Sequence, residues 1–342
     1  AGIFQGEIKS SPSGPATQGL KEDALQGPKI LDASDSNAIE QAARILREGG
    51  LVAFPTETVY GLGADAENAE AVARIFEVKA RPRLDPLIVH VADLESAERY
   101  GTFSSSAKAL AQRFWPGPLT LIVDRKPTVP PIVTAGLDTV AIRVPAHAAA
   151  LKLIQATVHG IAAPSANPFG YVSPTEAQHV AEQLGRSIDL ILDGGACSVG
   201  VESTIVSLTG SSCCVLRLGG TPVEEIEALL GQIDVATDWI DRPQAPGQLK
   251  RHYSTRTRLT IAEKDIGIGG AGIRVGLLSL TQPPNPRDYA AVEILSTSGN
   301  LREAAANLFR ALRRLDALSL DEEEGRPIVD PEKCIGCGVC TV

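Results

Sequence analysis

At 342 residues the chain is long enough for two domains with separate cores. No apolar run approaches the roughly 20 residues of a helical membrane span. A net charge of −9 argues against a broad, non-specific nucleic-acid surface, while leaving room for a local basic groove. Six cysteines, three scattered (Cys197, Cys213, Cys214) and three in the last nine residues, do not make a disulfide framework.

The cysteine pattern makes a reducing cytoplasm the expected location, and no secretory signal is expected because the N-terminus lacks a basic stretch followed by an apolar core. Residues 1–29, rich in Gly, Ser, Pro and Gln, read as a flexible arm. From Ile30 the texture changes. A helix starts at Ser36, the N-cap candidate, carries Ile39, Ala42, Ala43 and Leu46 on one face and ends at Gly49-Gly50. Strand-like runs then alternate with helical ones: Leu51–Phe54, a helix over 68–79, Leu87–Val91, a helix over 104–114, then strands Leu119–Val123 and Val140–Val144. A helix from Ala148 follows, then strands Gly160–Ala163, Leu190–Leu192, Ser203–Leu208 and Val215–Leu218, and a helix over 222–230. This alternation predicts an α/β domain over 30–231 with a largely buried sheet.

Residues 232–256, with Pro243, Pro246 and Gly247 before a polar, basic stretch, read as a linker. A smaller α/β unit is expected over 257–320, with strands near Leu259–Ile261, Gly272–Leu280 and Ala291–Leu295. Its helix, Leu301–Leu318, places Ala304, Leu308, Leu312 and Leu315 at helical spacing. The acidic run Asp321-Glu-Glu-Glu324 is expected to end it, leaving a tail over 321–342.

Several clusters concentrate reactive side chains. Phe54-Pro-Thr-Glu-Thr-Val-Tyr-Gly-Leu-Gly63 sets hydroxyls, a carboxylate and a phenol between a strand and two glycines, as a strand-to-helix turn facing a ligand would. Lys79 and Arg81, on a loop stiffened by Pro82 and Pro86, suit a polyphosphate, because Arg forks two oxygens while Lys acts as a point charge; a solvated surface fits the same residues. Arg143 sits inside an otherwise apolar strand, so it either pairs with a buried acid or faces a pocket, and the pocket is favoured. Ala163-Pro-Ser-Ala-Asn167, Ser173-Pro-Thr175, Gly200-Val-Glu-Ser-Thr204 and Arg217-Leu-Gly-Gly220 add hydroxyls, an amide and a cation near glycines, although Ser173 also reads as a helix cap.

No phosphate loop of the Gly-x4-Gly-Lys-Ser/Thr type occurs, and no His or Cys cluster in the body suggests a transition metal. Gly267-Ile-Gly-Gly-Ala-Gly272 runs into a predicted strand, which excludes a dinucleotide fingerprint. The inventory suits a nucleotide and a small zwitterion, with catalysis by positioning and charge stabilisation.

Taken in order, these clusters resemble the threonylcarbamoyl-AMP synthase family in its two-domain form, over about Ile30–Gly231 and the linker motif Pro246-Gly-Gln-Leu-Lys-Arg-His-Tyr253. The resemblance implies a YrdC-like twisted mixed sheet with flanking helices and a smaller Rossmann-like α/β C-terminal domain. It also implies synthesis of L-threonylcarbamoyl-adenylate from L-threonine, bicarbonate or CO2, and ATP with Mg2+. The product would pass to a tRNA threonylcarbamoyl transferase complex for N6-threonylcarbamoyladenosine formation. By the same resemblance Thr58, His90, Arg143 and Ser203 hold L-threonine. Lys79, Arg81, Thr139, Ser165, Asn167, Ser173 and Arg217 surround ATP, with Lys79 and Arg81 catalytic and Tyr253 lying over the site like a lid.

Two departures stand out. Asp85 in the ATP set occupies a position where the family usually carries asparagine. The tail Cys334-Ile-Gly-Cys337-Gly-Val-Cys340 resembles three ligands of a ferredoxin run without the fourth, so no complete iron–sulfur cluster is expected from it. A module that binds RNA directly is the alternative from another class, and a carbamoyl transferase the nearer enzymatic one; the latter's acylphosphatase-like segment and zinc-finger cysteine pairs are missing here.

Overall fold

The computed structural model describes residues 28–209, 213–236, 243–249, 252–261, 275–318 and 328–329. A twelve-stranded mixed sheet forms the body. From one edge it runs Ile30–Asp32, Leu190–Asp193, Val52–Phe54, Gly61–Asp65, Ile161–Ala163 and Ile88–His90. It continues through Thr139–Arg143, Leu119–Arg125, Thr204–Ser207, Cys214–Arg217 and Asp234–Val235, with Gly101–Thr102 paired to Leu119–Arg125. Its central strands are mainly apolar and buried, as expected where helices cover both faces. One core cluster gathers the Ala69–Lys79 and Ser105–Phe114 helices, and a second gathers Ser36–Arg47 and Ala148–Thr157. Among the described residues no helix is long and apolar enough to cross a membrane.

The local sequence explains most element ends. Asp35, not Ser36, caps the first helix, its carboxylate accepting from Asn37 N at 2.9 Å. Asn68 caps Ala69–Lys79 through Glu70 N and Ala71 N, and Ala80 ends it at φ 50°. The Pro55–Tyr60 turn corrects an expectation: it joins Val52–Phe54 to an antiparallel strand, Gly61–Asp65, and does not open a helix. That strand has no β-branched residue, so propensity hides it, and pairing with strands on both sides overrides the weak local signal. Gly63 also allows a close crossing, since a Cβ there would stand 2.7 Å from Ile161 and 2.9 Å from Phe54.

A second sheet of four parallel strands runs Thr260–Ile261, Ile328–Val329, Gly276–Ser279, Ala291–Ile294. Ile328–Val329 lies beyond the acidic run expected to end this unit; two residues carry no periodicity, and only pairing with strands on either side reveals them. Helix Leu301–Ala317 buries the predicted stripe. Its core cluster also takes in Val59, Val172 and Val201 of the large domain and Tyr253 of the linker. The glycine-rich run 267–272 and the three tail cysteines lie outside the described residues.

Candidate active site

The strand ends converge on one cavity beneath the linker. The Thr56–Gly61 turn, Arg81, the Ile88–His90 strand, Arg143, Ser165, Glu202, Arg217, Pro246 and His252 all contribute to its wall.

Arg143 is only 3% exposed, and each part of its guanidinium is engaged. Nε donates to Gly117 O at 3.3 Å, Nη1 to Thr58 Oγ1 at 2.8 Å and Nη2 to Glu57 Oε1 at 2.6 Å. The choice between a buried acid and a pocket thus resolves as both: Glu57 backs the cation while its other side lines the cavity. Glu57 Oε2 accepts from Ala146 N at 2.9 Å, which ties the turn to the chain leaving the Arg143 strand. His90, on the neighbouring strand, has its pKa pushed down to about 3 by burial and by the Arg143 charge. It is therefore a neutral imidazole, and its Nδ1 has no hydrogen-bond partner. A cation, a neutral imidazole and hydroxyls together suit a small polar anion or zwitterion.

The other side of the cavity is cationic. Arg81 Nη2 donates to Pro86 O at 2.9 Å and Nε to Asp85 O at 3.2 Å, so the loop's own carbonyls orient it. The Asp85 carboxylate lies 2.9 Å from Arg81 Nη2, yet neither oxygen receives an aligned hydrogen bond. Burial raises its pKa, with Arg81 opposing. Lys79 does not line the cavity: its ammonium donates to Ser165 O at 2.6 Å and to Asn167 O. Burial and the Arg81 charge hold the Lys79 pKa well below the ordinary lysine range. Arg217 Nη2 donates to Ser203 Oγ at 3.0 Å, Nε to Ser203 O at 3.0 Å and Nη1 to Pro246 O at 3.1 Å. Ser203 Oγ lies 2.7 Å from Thr120 Oγ1.

Pro246 and His252 bring the linker over this cavity. The Gln248 side chain closes its turn by accepting from Gln244 N and Ala245 N at 2.8 and 3.0 Å. Ser254 N donates to Gly170 O at 2.7 Å. The free space beneath is about 30 Å³, which holds about one water and no nucleotide.

Of the predicted residues, Thr58, Arg81, His90, Arg143, Ser165 and Arg217 line the cavity together. Ser203 and Ser173 sit one hydrogen bond behind it, Ser203 on Arg217 and Ser173 donating to Glu202 Oε1 at 2.7 Å. Asn167 is buried and donates to Pro168 O and Tyr171 O. Thr139 begins its strand, four residues before Arg143, away from this wall. Tyr253 stacks on Phe309 of the small domain with ring centroids 5.3 Å apart, and its neighbour His252 faces the cavity instead. Sequence reasoning missed Thr56, Glu57, Glu202 and His252. All four stood inside quoted motifs, where a second hydroxyl, a carboxylate or an imidazole beside an assigned residue was the available signal.

Among the described residues no group of three or more His, Cys, Asp or Glu could hold a metal ion. Glu202 is the carboxylate in the cavity wall, with Arg217 Nη2 3.7 Å from its Oε2 and Ser173 on its Oε1; such a lining fits an ion carried mainly by phosphate oxygens and water and not a cage built by the protein.

Comparison with known proteins agrees with this geometry. Residues 44–219 match the Sua5_yciO_yrdC family, described as Telomere recombination, and residues 221–338 match Sua5_C, described as Threonylcarbamoyl-AMP synthase, C-terminal domain. The threonylcarbamoyl-AMP synthase of Pyrococcus abyssi is 42% identical over 309 residues, covering 83% of this chain and 86% of that protein. That of Bacillus subtilis is 44% identical over 298 residues, with the same coverage of 83% and 86%. The crystal structure of P. abyssi Sua5 complexed with L-threonine superimposes with a TM-score of 0.81 at 42% identity, covering 89% of this chain and 92% of that one. E. coli YciO matches the large domain's fold with a TM-score of 0.52 at 25% identity, over 58% of this chain and 97% of its own. With both family domains in order along one chain and a cavity assembled from their motifs, this protein belongs to the threonylcarbamoyl-AMP synthase family.

Proposed function

We propose that the chain forms L-threonylcarbamoyl-adenylate and pyrophosphate from L-threonine, bicarbonate or CO2, and ATP. The observation that carries this is the shared cavity: Arg143, with Thr58 beside it, offers a seat for an amino acid next to Arg81 and Arg217, which suit phosphates. The threonine amine, once deprotonated, attacks the carbon of CO2 and forms N-carboxythreonine. An oxygen of that new carboxylate attacks the α-phosphorus, and the bond to pyrophosphate breaks. No side chain is needed as a covalent nucleophile.

Arg81 and Arg217 would spread the charge that develops on the phosphates. Mg2+ would enter on the nucleotide, with Glu202 the cavity carboxylate available to it, and would neutralise the departing pyrophosphate. Lys79 acts in this arrangement by holding the Ser165 and Asn167 carbonyls, which fixes the segment that meets the nucleotide. The linker, latched by Arg217 to Pro246 O, would exclude water from a carbamoyl-adenylate that hydrolyses readily. The product would then pass to a tRNA threonylcarbamoyl transferase complex.

Pyrophosphate release from ATP, measured with and without L-threonine and bicarbonate and with L-serine for comparison, tests this reading. Release that requires both co-substrates supports it. ATP turnover indifferent to L-threonine would reject it, and RNA affinity without turnover would favour a binding module.

A further inference from the structure

Hydroxyl groups can donate one hydrogen bond and accept two, and in the Thr56–Thr58 pair the buried partners determine which way each proton points. Thr56 Oγ1 lies 2.6 Å from Val59 O. A carbonyl cannot donate, so the Thr56 proton is committed there. The N–H groups of Thr58 and Val59, each at 3.2 Å, share one of the two Thr56 Oγ1 lone pairs, and the other stays open to the Thr58 hydroxyl. The contact between Thr56 Oγ1 and Thr58 Oγ1, 2.9 Å, can then be made only by the proton of Thr58. On its other side Thr58 Oγ1 accepts from Arg143 Nη1 at 2.8 Å, and a guanidinium has donors alone. The direction of the chain is therefore fixed from Arg143 through Thr58 and Thr56 to the Val59 carbonyl.

One lone pair of Thr58 remains. Thr58 is wholly buried and lines the cavity, so that pair is presented to whatever the cavity holds. We propose that Thr56 is a positioning residue that makes Thr58 an acceptor only, so that an N–H of the amino-acid substrate's amine is read at Thr58 while its carboxylate meets Arg143. This rests on the reading that the cavity binds L-threonine. The amine is selected over the side-chain hydroxyl by chemical connectivity. It shares the α-carbon with the carboxylate, and Thr58 is hydrogen-bonded to the same guanidinium that would hold that carboxylate. A carboxylate oxygen, which cannot donate, is refused by Thr58 and directed to Arg143. An amine held by one N–H keeps a defined orientation when its lone pair is needed for attack on CO2.

Calorimetric dissociation constants for L-threonine and for its α-hydroxy analogue, in which a hydroxyl replaces the amine, provide the test on the full chain. Thr56→Val frees the Thr58 proton to turn into the cavity. L-threonine, which can only donate there, should then bind about tenfold more weakly, a loss of about 1.4 kcal/mol. The α-hydroxy analogue can reverse its hydrogen bond and should change less than about twofold. Thr56→Ser should restore the wild-type ratio. If Thr56→Val does not fold, Thr56→Ala removes the same oxygen and carries the same test, with L-threonine weakened at least about fivefold more than the analogue. Equal weakening of both ligands would show a structural role alone, and an unchanged ratio would overturn the inference. A loss seen for L-threonine but not for the amino acid lacking its side-chain hydroxyl would assign Thr58 to that hydroxyl instead. A wild-type chain that binds neither ligand would remove the threonine reading itself.

Discussion

Arg143 Nη2 stands 2.6 Å from Glu57 Oε1, with the two side chains 3% and 5% exposed, so the cation offered to the substrate is already paired from behind. A buried guanidinium without a counter-charge would be costly, and Glu57 supplies that counter-charge at the cavity wall. Arg143→Ala should abolish L-threonine binding while leaving measurable ATP affinity. It also strands Glu57, so unfolding free energy should fall by about 3–5 kcal/mol. Calorimetry for both ligands, read beside a denaturant titration, checks this. Intact L-threonine affinity would defeat the assignment.

Asp85 puts a carboxylate beside Arg81, and Arg81 is oriented independently by the Asp85 and Pro86 carbonyls. Asp85→Asn should therefore keep the loop in place and remove a charge that opposes phosphate. The KM for ATP is expected to fall several-fold, with that for L-threonine unchanged. A rise in the KM for ATP would mean that the carboxylate assists the nucleotide, through its metal ion or by holding Arg81.

Gly200 couples the two domains. Its φ is 71°, and a Cβ there would lie 2.5 Å from the Ala306 backbone in helix Leu301–Ala317. Gly200→Ala should push that helix away from the segment carrying Glu202 and Ser203 and cost about 1–3 kcal/mol. Nucleotide affinity should weaken along with stability. A melting temperature within a degree or so of wild type would show that the contact yields easily.

Three histidines are neutral in the fold for the same reason. Burial pulls His90 down to about 3, His179 to about 4 and His252 to about 3, with Arg143, Arg313 and Arg217 respectively adding repulsion. In the unfolded chain each takes a proton near its ordinary value of 6.5. Between those values the unfolded state binds more protons, so stability is full above about pH 6.5 and declines as the pH falls toward 4. Denaturant midpoints should drop steadily from pH 7.5 to pH 5, and His90→Asn should shallow the slope. A flat profile would show that these rings are protonated in the fold.

The sequence by itself determined the alternation of buried strands and amphipathic helices, the order of the motifs and most of the polar groups that meet at the cavity. Those properties are local. Hydrophobic period, capping residues such as Asn68 and proline-bounded loops are written in neighbouring residues. Only the tertiary structure decided which way those groups face. Lys79, read as a phosphate ligand, instead holds two backbone carbonyls nearly ninety residues away in sequence. Tyr253 stacks on the small domain and leaves His252 over the cavity. Gly61–Asp65 became a strand, and Ile328–Val329 completed a second sheet, because pairing partners distant in sequence supplied hydrogen bonds that local propensity could not announce. Glu57 was visible as a carboxylate in a motif, but its role depended on the position of Arg143, which the folding of the sheet alone brings to it.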